Sequence, residues 1–484
     1  MRRFILGLDE GTTSARSVLY DIDQNEIVDI EAKKFKQYYP HEAWVEQDAN
    51  EIFRDILKTS RDIISRNGVV KGEILGIGIT NQRETVVAWN KETGEPICKA
   101  IVWQCRRTAK DIEKLSDQQK RIIKEKTGLI ASSYFSATKM KWILDNVKEA
   151  KILLKQNKLC FGTIDSFLNF KLTGNFYTDT TNASRTMLFN IHTLDWDDEL
   201  LEMFKIPRQA LPQVLASDAH FGDAKKIFSA PVCAMIGDQM SSMFGQGAIH
   251  YGSTKVTYGT GGFVLCNIGK DSLKSSPNLL TTIAGTVNGT TEYAIEGSIY
   301  SACSAVNWLK SSLNLYDEVS DTFDMATSLP DNEGVYLIPA FTGLGAPYWK
   351  DDARASIIGM TFETRKEHIV RATLESMVYN TKAIFNELKS LGQKFKMISV
   401  DGGGSKNEFV LQFLSDMLDH DIVRSRFLES TVMGAIFVAM ISMKIIKTSD
   451  IKKLTATSKT YHPHMNEKMR QKYYDGWLNA INKL

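Results

Sequence analysis

The sequence predicts an α/β protein of two similar halves, and three features carry that prediction. Apolar runs with strand character alternate with amphipathic helical periods along the chain. A chain of 484 residues is too long for one hydrophobic core, so two or three domains are expected. A strand, Gly/Thr tip, strand pattern at Phe4–Asp21 returns half a chain later at Lys255–Cys266, although with weak residue identity. The division is placed at regions 1–246 and 247–484.

The opening hairpin flanks Gly11-Thr12-Thr13-Ser14 with apolar arms that include Ile5, Leu6, Leu8, Val18 and Leu19. Tip amides and the hydroxyls of Thr12, Thr13 and Ser14 form a concavity suited to anions. Asp9 would repel a bare phosphate, which implies an intervening cation, most simply hydrated Mg²⁺. An ordinary hairpin with a polar tip fits the same residues.

Next come a strand at Ile27–Phe35, a helix at Ala49–Ser65 and strands at Ile74–Thr80 and Val86–Trp89. Arg83 and Glu84 stand between the last two. Adjacent strand residues point to opposite faces, so both can serve one ligand only if the strand ends or bends there. The competing reading is a solvated charge pair on a surface loop. Trp103, after the run Ala100–Val102, offers an aromatic face for the C–H edge of a polyol, or is plain core. Tyr134 precedes a helix for which Ser136 is the expected N-cap.

Helices follow at Ile164–Leu172 and Trp196–Phe204, joined through a Thr/Asn/Ser-rich loop at Thr178–Arg185. An apolar strand then delivers Gly237 and Asp238 to a turn, with a helix from Met240 onward. Asp238 is either that helix's N-cap or a general base facing a substrate hydroxyl. In the second half, Thr260 lies at the repeated hairpin tip and Phe341–Trp349 is a loop. Lys366–Leu391 has a long helical period. Met397–Asn407 reads as strand, glycine turn and helix, where the glycines admit a base or phosphate onto backbone and Asn407 presents an amide. No Gly-x4-Gly-Lys-Ser/Thr loop occurs, which excludes the common P-loop route to ATP.

Lys plus Arg number 59 against 57 Asp plus Glu, a net +2 that argues for neither nucleic-acid nor membrane partners. The six cysteines show neither paired nor metal-finger spacing and read as reduced thiols, and no secretory or membrane-spanning run is found, which points to the cytoplasm. Val432–Met443 is expected to be a buried helix.

Taken together and in order, several of these motifs resemble the glycerol-phosphorylating members of the FGGY carbohydrate kinases, within the actin, hexokinase and heat-shock ATPase superfamily. The likeness runs from Leu8 to Ala435 and includes Gly78–Thr85, Tyr134–Asn146, Thr178–Asn190, Gly237-Asp238-Gln239, Tyr258–Gly261, Phe341–Trp349 and Val400–Gly403. The resemblance implies two ribonuclease-H-like (actin-like ATPase) domains with a catalytic cleft between them. It implies ATP-dependent phosphorylation of glycerol with Mg²⁺. The matching positions are Arg83, Glu84, Tyr134, Asp238 and Gln239 for the polyol, with Trp103 and Phe263 along its carbon edge. Thr12, Thr13, Ser14, Arg16 and Thr260 match the phosphate side, Gly403 and Asn407 the nucleotide side, Asp9 the Mg²⁺-associated acid and Asp238 the base. Departures from the family pattern are Glu10 for the usual Gln, Cys303 for Gly, Asn307 for Gln, and Gly285 where Trp is common. A sister kinase for xylulose, ribulose or gluconate and an actin-like or chaperone-type ATPase are the rival readings. Assembly into a homo-oligomer is left open.

Overall fold

A computed structural model describes residues 2–270, 276–350, 352–456 and 459–484. Two compact units emerge, unit 1 comprising Met1–Gly245, Thr281–Tyr293 and Thr431–Leu454, and unit 2 comprising Gln246–Leu280, Ala294–Ser430 and Thr455–Leu484. The break after Gly245 adjoins the division placed from sequence, but two segments from the second half of the chain cluster with the first.

The sheet of unit 1 contains β1 (Phe4–Glu10), β2 (Ser14–Asp21), β3 (Glu26–Lys34), β4 (Ile74–Asn81), β5 (Gly222–Ala224) and β6 (Ala230–Gly237), in the order β5-β6-β4-β1-β2-β3. Strands β1 to β3 form an antiparallel meander, and β4 runs parallel to both β1 and β6. Because β1 is buried along its whole length, it reads as a continuous apolar run and not as an alternation.

Each face of this sheet is covered for a reason visible in the residues. The helix Ala49–Arg66 starts on Asp48, whose side chain accepts from the Asn50 and Glu51 amides. It buries Ile52, Ile56 and Ile63 in one core with Leu6, Leu8 and Leu19. The alternate face, reached through Gly7 and Gly78, receives the helix Ser430–Ser442. A Cβ on Gly78 would lie 2.4 Å from the Ala435 carbonyl oxygen, so the helix backbone rests on the strand only because that residue is glycine. This helix is apolar nearly all round and buried, as expected from sequence. Its burial on β1 and β4 explains why Thr431–Leu454 belongs to unit 1.

Unit 2 repeats the plan with β7 (Ser253–Tyr258), β8 (Gly262–Gly269), β9 (Thr290–Ile299), β10 (Met397–Asp401), β11 (Ile422–Arg424) and β12 (Thr460–Tyr461), neighbours in the order β9-β8-β7-β10-β11-β12. The hairpin β7–β8 is antiparallel, and β10 runs parallel to both β7 and β11. The long helix Lys366–Ser390 packs Tyr379 against Phe413 and stacks it on Trp477.

Three local expectations are corrected. Thr178–Arg185 is not a loop: it closes the strand Tyr177–Asp179 and then forms the helical turn Thr180–Ala183, capped by Asp179. The helix expected from Trp196 begins at Asp198, because Asp197 caps it. Ser136 is the first helical residue and not the cap, since its hydroxyl donates to the Glu84 carbonyl at 2.9 Å. All six cysteines are free. Among the described residues no helix is long and apolar enough to cross a membrane.

Candidate functional site

Parallel pairing sets the position of the candidate residues in unit 1. Glu10 lies opposite Asn81, and Asn81 opposite Gly237, so β1, β4 and β6 end together at one sheet edge. Carboxyl ends of parallel strands are where open α/β sheets bind ligands. Asp9 belongs to the first of these ends, Arg83 and Glu84 follow the second, and Asp238 and Gln239 follow the third.

Past Asn81 the chain makes a three-residue turn in which the Thr85 amide donates to the Arg83 carbonyl at 2.7 Å, with Glu84 at φ 62°. A left-handed conformation at a non-glycine residue costs about 1–3 kcal/mol. It meets the condition set from sequence, since the strand has ended before the two charges. Arg83 and Glu84 are 3% and 1% exposed, which removes the solvated-pair reading. Instead, charges of alternating sign form a run. Arg185 Nε donates to Glu84 Oε1 at 2.6 Å, and Arg83 Nε lies 3.9 Å from that oxygen and 3.1 Å from Asp238 Oδ1. Buried ion pairs stabilise little in net terms, because desolvation offsets their attraction, so this run orients groups more than it holds the fold.

The Asp238 side chain stays 27% exposed at the open end of that run. Its Oδ1 also accepts from the adjacent Gln239 amide at 2.6 Å. A helix cap would instead accept from the second or third amide of the helix, and here Asp238 is itself the first residue of Asp238–Gly245. The N-cap reading is therefore not realised, and Oδ2 takes part in neither bond.

Trp103 is not plain core. It is half-buried, its indole N–H donates to Thr12 Oγ1 at 3.0 Å, and its ring meets Tyr134 edge-on with centroids 5.4 Å apart. The hairpin tip is held from below: the Thr12 carbonyl accepts from Gln37 and Gln47 side chains at 3.0 and 2.7 Å, and the Gly11 amide donates to the Ser14 carbonyl at 3.0 Å. Thr13 stays exposed at the tip, and Arg16 Nη1 lies 3.4 Å from Asp9 Oδ2.

Glu10, the departure beside Asp9, is fully buried and turned inward. Its Oε1 accepts from Gln82 Nε2 at 2.8 Å, and Gln82 also donates to Gln47 at 2.7 Å. Burial pushes the Glu10 pKa well above the usual carboxylate range, against the opposing pull of the Gln82 hydrogen bond, which disfavours a negative charge beside Asp9. Among the described residues no cluster of three metal-binding side chains occurs. A lone carboxylate such as Asp9 suits Mg²⁺ held largely by water and phosphate oxygens.

In unit 2 the ends of β7 and β10 also meet, with Thr257 opposite Asp401. Thr260 is exposed at the tip, and its carbonyl accepts from the Ala302 and Ser304 amides at 3.0 and 3.2 Å. Gly402 has φ 83°, and a Cβ on Gly404 would lie 2.7 Å from Tyr258 Cβ, so the glycine turn packs directly on the hairpin. Gly403 is exposed with open space where a side chain would stand. Phe263, opposite Thr257 on β8, is half-buried. Asn407 does open its helix, but its amide is not idle: Oδ1 accepts from the Phe409 amide and Nδ2 donates to Thr322, both at 3.0 Å. Cys303, another departure, donates its thiol to the Tyr258 carbonyl at 3.4 Å, and burial pushes its pKa up to about 11.

Sequence reasoning did not single out Arg185. It sits in the Thr178–Arg185 stretch, and only a partner 101 positions away reveals its role in holding Glu84. Thr181, whose hydroxyl accepts from the Gly237 amide at 2.8 Å, was hidden in the same way.

Residues 4–245 match the N-terminal domain of the FGGY family of carbohydrate kinases, and residues 254–443 match its C-terminal domain. The glycerol kinase of Thermococcus kodakarensis is 45% identical over 487 residues, spanning 100% of this chain and 97% of the relative. The structure of Plasmodium falciparum glycerol kinase with ADP superposes with a TM-score of 0.93 at 35% identity, covering 100% of this chain and 98% of that one. Gluconate kinase from Lactobacillus acidophilus, at 24% identity and a TM-score of 0.88 over 99% of this chain and 98% of that one, shares the fold.

Proposed function

The chain belongs to the FGGY family of carbohydrate kinases, and on that premise we propose that it transfers the γ-phosphoryl group of ATP to glycerol, forming glycerol 3-phosphate. The observation that carries this reading is the buried run Arg185–Glu84–Arg83–Asp238, tied through the Ser136 hydroxyl and the Glu84 carbonyl to the segment bearing Tyr134.

A polyol hydroxyl is a weak nucleophile whose proton must leave as the oxygen attacks. Asp238 Oδ2 takes that proton, a role contributing on the order of 10²- to 10⁴-fold. Arg83 holds Oδ1 and so fixes the carboxylate plane. Arg83 can donate to hydroxyl oxygens and Glu84 can accept from hydroxyl protons, which favours a triol over an apolar look-alike. In unit 1 Trp103 and Tyr134 suit the C–H edge, and Gln239 adds an amide. The tip of Thr12, Thr13 and Ser14, with Arg16 and Thr260, offers donors to the phosphates. Gly403, with its open face, and Asn407 stand on the nucleotide side. Asp9 would hold Mg²⁺, which when bound neutralises phosphate charge.

The test is ADP formation followed with ATP and Mg²⁺, with and without glycerol. Turnover that requires glycerol supports the reading, and equal turnover in its absence favours a polyol-independent ATPase.

A further inference from the structure

Lys139 is the fully buried lysine of the polyol side of unit 1, and none of the chemistry above uses it. It lies in the first turn of the helix Ser136–Asn146, where a cation opposes the helix macrodipole. Burial adds a desolvation cost. Two unfavourable terms at one residue call for a compensating use, and the geometry supplies one. Nζ donates to three successive carbonyls, those of Ser133 at 2.5 Å, Tyr134 at 2.7 Å and Phe135 at 3.1 Å. An ammonium group has three protons and no acceptor, so the match is complete. The clamped segment carries Tyr134 against Trp103, Phe135 beneath the Arg185 guanidinium, and Ser136 onto the turn at Glu84.

We propose that Lys139 is a positioning residue for the polyol, clamping the backbone of Ser133–Phe135 so that Tyr134 stays in place against Trp103. The proposal rests on the glycerol-kinase reading and assigns glycerol affinity, not phosphoryl transfer, to this side chain. Three protons are needed for three carbonyls. Burial pushes the Lys139 pKa down to about 7, with Cys105 and Glu84 opposing that shift and Arg107 adding to it. As pH rises past that point a two-proton amine faces three carbonyls, one bond is lost, and the Tyr134 segment loosens.

The experiment measures KM for glycerol and for ATP across about pH 6 to 9 in the unmutated chain, Lys139→Met and Lys139→Gln. Removing all donors should raise the glycerol KM about tenfold or more while the ATP KM moves less than about twofold, with Gln, which keeps two donors, falling between. In the unmutated chain the ratio of glycerol to ATP KM should climb above neutral pH, and in Lys139→Met it should stay flat. Equal rises in both KM values, or a flat ratio in the unmutated chain, overturn the proposal. The second of these needs no variant to fold. Absence of any glycerol-dependent turnover in the unmutated chain would instead overturn the glycerol-kinase reading.

Discussion

The two sheets share a core order, β2-β1-β4-β6 in one and β8-β7-β10-β11 in the other, and differ at the ends of those strands. In unit 1 the hairpin strand β1 places Asp9 opposite Thr80 of its parallel neighbour, whereas in unit 2 the hairpin strand β7 places Thr257 opposite Asp401. Acid and hydroxyl have exchanged strands. Asp9 sits on the hairpin with Arg16 for a neighbour, while Asp401 is buried and accepts from the Thr257 and Ser430 hydroxyls. Just past the neighbouring strands the contrast widens: β4 leads into the buried charges Arg83 and Glu84, and β10 leads into the glycine turn. One repeated scaffold thus carries the acids suited to chemistry on one copy and open backbone suited to a nucleotide on the other.

The sharpest way to break that division is Asp238→Asn. We expect kcat to fall on the order of 10²- to 10⁴-fold with glycerol affinity nearly kept, read from single-turnover rates beside equilibrium binding. Near-normal turnover would take Asp238 out of the base role. Asp9→Asn should lower kcat/KM for ATP by roughly 10²-fold and raise the Mg²⁺ concentration needed for half-maximal rate. Thr257→Val, its counterpart, should leave the Mg²⁺ requirement unchanged and cost about 1–3 kcal/mol of stability by stripping a bond from buried Asp401, seen in denaturant midpoints. Equivalent kinetic effects in the two variants would erase the contrast between hairpins.

Arg83→Ala removes a charged donor, so glycerol KM should rise about tenfold with ATP KM little changed. In unit 2 the prediction concerns space. Gly404→Ala drives a methyl group into Tyr258 and should cost about 1–3 kcal/mol, while Gly403→Ala should fold as well as the parent and weaken ATP by a few-fold at most. Reversal of that order in thermal melts would mean that the turn does not rest on the hairpin as described.

Much of this was legible in the sequence because the signals are local. Apolar runs marked β1, β2, β4 and β7, the helix Ala49–Arg66 carries its period and cap within a few residues, and the glycines of 402–404 mark the turn. Arg83, Glu84 and Asp238 stand out in the sequence as charges at strand ends, and parallel register turns that shared placement into proximity. What stayed hidden depends on partners far along the chain. Ser136 looks like a cap until the Glu84 carbonyl, 52 positions away, takes its hydroxyl. Glu10 looks like added charge beside Asp9 until it is found buried and turned onto Gln82, and Arg185 is one polar residue in a polar stretch until Glu84 is placed beside it. The unit to which the helix Ser430–Ser442 belongs follows from which strands carry glycine beneath it, a matching of surfaces that no periodicity reports.

The central claim is that the residues at the edge of unit 1 select a three-carbon polyol. The most direct measurement compares kcat/KM for glycerol with that for xylulose, ribulose and gluconate under saturating Mg·ATP. The account predicts glycerol to lead by at least about 10²-fold, and a longer sugar turned over equally well or better would contradict it.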